Sequence, residues 1–165
     1  MKIIRSIENS NVQNEKVIDP TGEIKLAIDY TKTVKKSISD GKYDLKNSAI
    51  TPKNFPVSLK MIGKKVEVSV KLFHFDRGIN CLDAISEMDK AGYRPATLME
   101  LLALGSLYPE LQRRFSIIAL GSVWSDEHGR NFVPLLQMFG SKRHLELIWN
   151  GCVWTIHYCF LGVCK

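Results

Sequence analysis

From Lys65 onward, apolar and polar positions fall into short, regular runs. Val66, Val68 and Val70 alternate with Glu67, Ser69 and Lys71 and lead into Leu72-Phe73-His74-Phe75. A period of two among β-branched residues predicts a strand. Leu82, Ile85 and Met88 then mark a short helix closed by Gly92. Thr97-Leu-Met-Glu100 reads as a capping box, in which hydroxyl and carboxylate satisfy the first free amides of a second helix. Leu98, Leu101, Leu102 and Leu104 supply the buried face of that helix, and Pro109 limits or restarts it. Phe115 to Leu120 and Val123-Trp124 read as strand, Ser125 to Arg130 as a turn, and Asn131 to Leu136 as a further strand. The last strands are predicted near 143–149 and 158–164. Two helices followed by short strands indicate an α+β domain over residues 61–165.

The first 60 residues are less patterned. Glu23 to Ser39 has Ile24, Leu26, Ala27, Tyr30, Val34 and Ile38 at roughly helical spacing, which predicts an amphipathic helix ended by Asp40-Gly41. The stretch to Pro56 reads as loop, so residues 1–60 are expected to form an N-terminal arm or cap.

The tract from Arg143 to Cys164 holds two kinds of position. Leu145, Leu147, Trp154, Phe160, Leu161 and Val163 form an apolar frame. Between them sit His144, Glu146, Ile148, Trp149, Asn150, Cys152, Thr155, Ile156, His157 and Tyr158, which share no chemical theme. A catalytic segment needs a few specific groups at fixed places. This tract instead alternates a fixed scaffold with side chains that look interchangeable, which points to recognition. In a strand over 143–149, Leu145 and Leu147 face inward while His144, Glu146 and Ile148 face out. A plain half-buried strand with ordinary surface residues gives the same alternation.

With 165 residues, 45% of them hydrophobic, the chain can build one domain plus an extension. The net charge of +6 lies wholly in residues 1–65, which carry 13 Lys/Arg against 7 Asp/Glu, whereas residues 66–165 carry 10 of each. Those lysines are interspersed with acids and lack interleaved aromatics, which argues against a nucleic-acid surface. No apolar run approaches the roughly 18–20 residues of a membrane span. The start, Met-Lys-Ile-Ile-Arg-Ser, is too polar for a secretory signal, so the protein is expected to begin in the cytoplasm. Without such a signal, Cys81, Cys152, Cys159 and Cys164 read as thiols.

Zinc would need a short Cys-Cys hook, which the spacing of Cys152, His157, Cys159 and Cys164 lacks. Asp76, Asp83, Glu87 and Asp89 do not follow a calcium-loop spacing. No metal or cofactor is expected, and His74 and His128 read as structural or surface residues.

The ordered set Lys71-Leu-Phe-His-Phe-Asp-Arg77, Ile85 to Thr97, Ala119-Leu-Gly-Ser-Val-Trp124, Val133-Pro134, Arg143-x-Leu-x-Leu147, Trp154 and Phe160-Leu-x-Val163 resembles a known family. It is similar to the target proteins of diversity-generating retroelements, with a C-type-lectin fold of the formylglycine-generating-enzyme subclass. The resemblance covers roughly residues 66–165 and leaves residues 1–60 aside. It implies a C-type-lectin-like domain with two helices, irregular antiparallel strands and a variable region over about 131–165. It also implies that error-prone copying at template adenines turns AAY codons into NNY codons. His144, Ile148, Asn150, Cys152, Thr155, Ile156, His157 and Tyr158 are reachable in that way, whereas Glu146 and Trp149 are not. The implied function is ligand-binding display without catalysis, toward a protein or surface ligand set by the variant, on a virion or cell surface. Two alternatives stand beside it. One is a cysteine oxidase of the formylglycine-generating type, which would depend on a cysteine pair. The other is a docking module of a virion or surface assembly, reached through the N-terminal arm.

Overall fold

The computed structural model describes residues 22–165. Strand β1 (Ile24–Asp29) is followed by α1 (Val34–Asp40), the two-residue strand β2 (Leu45–Lys46) and the long β3 (Lys65–His74). Helix α2 (Cys81–Lys90), β4 (Tyr93–Pro95), α3 (Leu98–Leu107) and α4 (Pro109–Arg114) come next. The chain closes with β5 (Ser116–Ile118), β6 (Trp124–Ser125), β7 (Asn131–Phe139), β8 (Lys142–Trp149) and β9 (Tyr158–Cys164). The architecture is α+β, with all nine strands of the described residues in one sheet.

The sheet runs β1-β3-β9-β5-β7-β8-β2, with β4 added to β9 and β6 to β7. Most pairings are antiparallel, but β5 runs parallel to β9 and β2 parallel to β8. The expected all-antiparallel pattern is therefore corrected to a mixed sheet. The chain's last strand lies inside the sheet, between β3 on one edge and β4 and β5 on the other. Strands β7 and β8 form a hairpin in which Phe139 pairs with Lys142. That leaves a two-residue turn in which Gly140 takes φ +59°, as tight hairpin turns require.

Both helices expected from the pattern are present as α2 and α3. The Glu100 half of the Thr97–Glu100 capping box forms, its carboxylate accepting from the Thr97 amide at 2.7 Å, while the Thr97 hydroxyl has no hydrogen-bond partner among the described residues. Pro109 restarts rather than ends the helical run, as N1 of α4. Four helices are present among the described residues, not two.

The N-terminal expectation is corrected. No helix spans Glu23 to Ser39. Residues 24–29 form a strand whose Ile24, Leu26 and Ile28 are buried while Lys25 and Ala27 are exposed. Its partner is β3, with Leu26 opposite Val68 and Ile28 opposite Val66. Only after an Asp29–Thr31 turn does a helix start, with the Thr33 hydroxyl accepting from the Lys36 amide at 3.1 Å. Nor does the fold divide at residue 60. Leu26, Val34, Ile38, Ile50 and Phe55 share one core cluster with Leu101, Leu136 and Leu161. Residues 24–60 are thus built into the domain, and residues 1–21 of the expected arm lie outside the described residues.

The sheet is covered on both faces. The larger cluster joins β1 and the helices α1, α3 and α4 to one face through Leu101, Leu104, Leu111, Leu136 and Leu145. A second cluster lies on the other face, where Ala84 and Met88 of α2 meet Ile118, Val133, Leu135, Trp154 and Phe160. Coverage of both faces is why β7 and β9 read as nearly continuous apolar runs.

Candidate binding surface

Between β8 and β9 the chain leaves the sheet for eight residues, 150–157. The loop starts where the Asn150 amide donates to the Asn131 carbonyl at 3.0 Å and ends in a turn closed by Tyr158 N–H to Thr155 O, 3.3 Å. In its middle, Trp154 turns inward and is only 1% exposed. Its ring meets Tyr158 and Phe160 edge-on, with centroids 5.4 and 6.1 Å away. Its backbone exchanges two hydrogen bonds with Ile79, 2.8 and 3.1 Å long, so the loop is pinned to the segment entering α2. A further anchor comes from β3, where His74 Nε2 lies 2.7 Å from the Ile156 carbonyl. A carbonyl only accepts, so the imidazole presents its N–H there.

The side chains around these anchors are open to solvent. Thr155, Ile156 and His157 are exposed, as is Val153 beside Trp154. Trp149, at the end of β8, is half exposed and lies across Gly151, where an added Cβ would sit 2.3 Å from the indole. Only glycine lets the ring take that position.

The ten residues expected to share one outward face divide into two groups. Trp149, Thr155, Ile156 and His157 are exposed, while Ile148, Asn150, Cys152 and Tyr158 are half-buried. Ile148, Cys152 and Tyr158 all pack against the second cluster, which ties this group together. His144 and Glu146 lie apart from them. From His144 to Ile148 the strand advances roughly 13 Å at about 3.3 Å per residue.

The expectation that His144 is exposed is corrected, because it is buried at 9%. The Phe139 ring packs against it at 5.9 Å, and Leu45 of β2 pairs beside it on the sheet edge. Glu146 is half-buried, with Asn47 donating to its carboxylate at 3.2 Å and His144 Nδ1 3.7 Å away. The segment read as an arm therefore covers this end of the expected face. Among the frame residues, Leu145, Trp154, Phe160, Leu161 and Val163 are buried as expected, but Leu147 is only half-buried.

Across the sheet, the end of the loop borders a cleft of about 350 Å³ lined by Leu72, His74, Arg114, Phe115, Ile156, His157 and Cys159. The Arg114 guanidinium stacks 5.2 Å from the centre of the Phe115 ring. The lining holds one permanent cation, two imidazoles and no carboxylate. Such a set favours groups that accept hydrogen bonds or carry negative charge. Sequence reasoning left His74 aside and missed Arg114 and Val153. His74 was visible as a polar residue within an aromatic run, but nothing local marked the other two.

Cys159 is buried, and desolvation pushes its thiol up to about 11, so it stays protonated and a poor nucleophile at neutral pH. All four cysteines are free. No group of three or more His, Cys, Asp and Glu is placed to hold a metal ion among the described residues. No helix among them is long and apolar enough to cross a membrane. Comparison with protein-family models, curated proteins and solved structures gives no match.

Proposed function

We propose that this chain is a ligand-binding display domain whose recognition surface is the 149–158 segment. The observation that carries the reading is the construction of that segment. One buried tryptophan and main-chain bonds hold the loop, while Trp149, Val153, Thr155, Ile156 and His157 project into solvent. A backbone held in this way keeps its shape when the exposed side chains change, which is the requirement for diversified binding. The aromatic and amphipathic groups Trp149 and Tyr158 suit the anchoring role in such a surface. The adjoining cleft supplies polar donors from Arg114 and His157 for a protein or surface ligand.

In this reading the domain has a C-type-lectin-like fold and its surface is varied by a retroelement. Helices α2 and α3 ahead of a strand-rich C-terminal half, and a display loop before the last strand, are compatible with that fold. In this reading the variable set centres on the exposed positions 155, 156 and 157, whereas His144, although reachable by codon, is buried.

The DNA downstream of the gene provides the test. The proposal expects a near-copy of the 3′ coding segment, differing mainly at template adenines, with a reverse-transcriptase gene close by. The differences should concentrate on codons for the loop and spare Leu145, Trp154 and Phe160. An intact locus without such a copy, or differences scattered through the apolar frame, would remove retroelement display as the function.

A further inference from the structure

We propose that Cys81 and Cys152 form a reversible disulfide that locks the 150–157 loop onto the start of α2. The inference concerns the loop's freedom and holds whatever the loop binds. It comes from register. Ile79 and Trp154 form an antiparallel pair that exchanges both main-chain hydrogen bonds. Moving two residues forward from Ile79 and two back from Trp154 sets Cys81 opposite Cys152. Opposed residues of this kind have Cα atoms roughly 5.5 Å apart, inside the roughly 4.4–6.8 Å that a disulfide spans. Cys81 is the first residue of α2, so the chain has only begun to turn away from this register.

Packing places both residues together as well. Each is half-buried against the second core cluster, on the same face of the sheet. Gly78 holds the two segments close, since a Cβ there would lie 3.1 Å from the Val153 side chain. Burial raises the Cys81 thiol above its ordinary value, and the nearby Cys152 sulfur raises it further. The other two cysteines are placed differently. Cys159 is buried in the larger cluster, and Cys164 is exposed near the end of β9.

The oxidant is a small-molecule disulfide of the glutathione type. The Cys152 thiolate, in the solvent-facing loop, attacks one sulfur of that disulfide and releases one small thiolate, leaving a mixed disulfide. Cys81 loses its proton to solvent and attacks the Cys152 sulfur, expelling the second small thiol. Two protein thiols are oxidised and one small disulfide is reduced to two thiols. In the reduced state Cys152 Sγ–H donates to the Trp149 carbonyl at 3.3 Å, a weak bond that is given up on oxidation.

The experiment exposes the full chain to oxidised glutathione and then to dithiothreitol. The proposal expects two of the four thiols to disappear and one cross-linked peptide pair, containing Cys81 and Cys152, to form and to revert on reduction. Amide exchange over 152–157 should slow about tenfold or more in the oxidised form. The Tm should rise by roughly 5–15 °C. Cys81→Ser and Cys152→Ser should each abolish the cross-link. If either variant fails to fold, the oxidised and reduced wild-type chains decide the matter alone. A stable glutathione adduct on Cys152 without the internal link, a link to Cys164, or unchanged loop exchange after linking would each overturn the proposal.

Discussion

Replacing Arg143 by Met tests how the helices are locked onto the sheet. Arg143 is 7% exposed, and among the described residues its guanidinium forms no ion pair with a carboxylate. Nη1 donates to the Gly41 carbonyl at 2.8 Å, Nη2 to the Gly105 carbonyl at 2.6 Å, and Nε to Gln112 Oε1 at 3.1 Å. The first two acceptors lie at the C-terminal ends of α1 and α3, where helix dipoles favour a cation. The Gly105 carbonyl needs such a donor, because its helical partner four residues on is Pro109, which has no N–H. The Tyr43 ring lies 5.0 Å from the guanidinium and completes the enclosure. Methionine keeps the aliphatic part of the side chain, lacks the guanidinium and can make none of these bonds. Three buried acceptors then lose their donor at roughly 1–3 kcal/mol each, offset in part because no charge is buried any longer. The expected net cost is about 3–5 kcal/mol, a large share of the roughly 5–15 kcal/mol that stabilises a domain. With a urea m-value of about 2 kcal/mol/M, the midpoint should fall by roughly 1.5–2.5 M. Arg143→Lys keeps the charge but loses the fork, and should fall by about half as much. A Met midpoint within about 0.3 M of wild type, with unchanged m, would mean that desolvation cancels the network and that packing alone holds the helices.

Trp154→Ala should cost about 3–5 kcal/mol, whereas Thr155→Asn and His157→Asn should each stay within about 0.5 kcal/mol by urea denaturation. Comparable costs at all three positions would sink the display reading of the loop. Leu145→Ala should cost about 2–5 kcal/mol, and Leu147→Ala, only half-buried, should cost about 1–2 kcal/mol in the same assay; equal losses would contradict the observed packing of β8. Hydrogen bonds from Thr31 hold the Asp29 carboxyl below its ordinary value, and bonds from Lys32 and Lys36 do the same for Asp40. Their stabilisation is complete above the unfolded carboxyl range and is lost as pH falls through the lower folded values. Tm should therefore drop below about pH 4, more shallowly in Asp29→Asn and Asp40→Asn chains. Variants with the same acid limb as wild type would show that these bonds do not persist in solution.

Local chemistry determined much of this protein before any tertiary contact formed. Glu100 caps the start of α3 because its carboxylate lies within one turn of the Thr97 amide. Pro109 restarts the helix because its ring suits the first helical position. The Val66–Val70 alternation and the strands near 131, 143 and 158 are likewise where the pattern predicts them. The candidate loop was partly legible as well, since Trp154 stands among residues without a shared theme and is the one that turns inward.

What the pattern left open depends on distant parts of the chain. Ile24, Leu26 and Ile28 suit a strand, but with Tyr30, Val34 and Ile38 they also approach helical spacing. The choice fell to β3, some 40 residues away, which supplies the hydrogen-bonding edge. His144 sits at a polar step of an alternating strand, which marks an open face only if nothing covers that face. Phe139 and the β2 edge cover it, and β2 belongs to a segment with no local signal. The pairing of Ile79 with Trp154, which holds the loop and brings Cys81 opposite Cys152, joins residues more than 70 positions apart. Periodicity reports how a segment alternates between two faces. What covers each face is decided by whichever distant segments pack there, and only the tertiary structure contains that information.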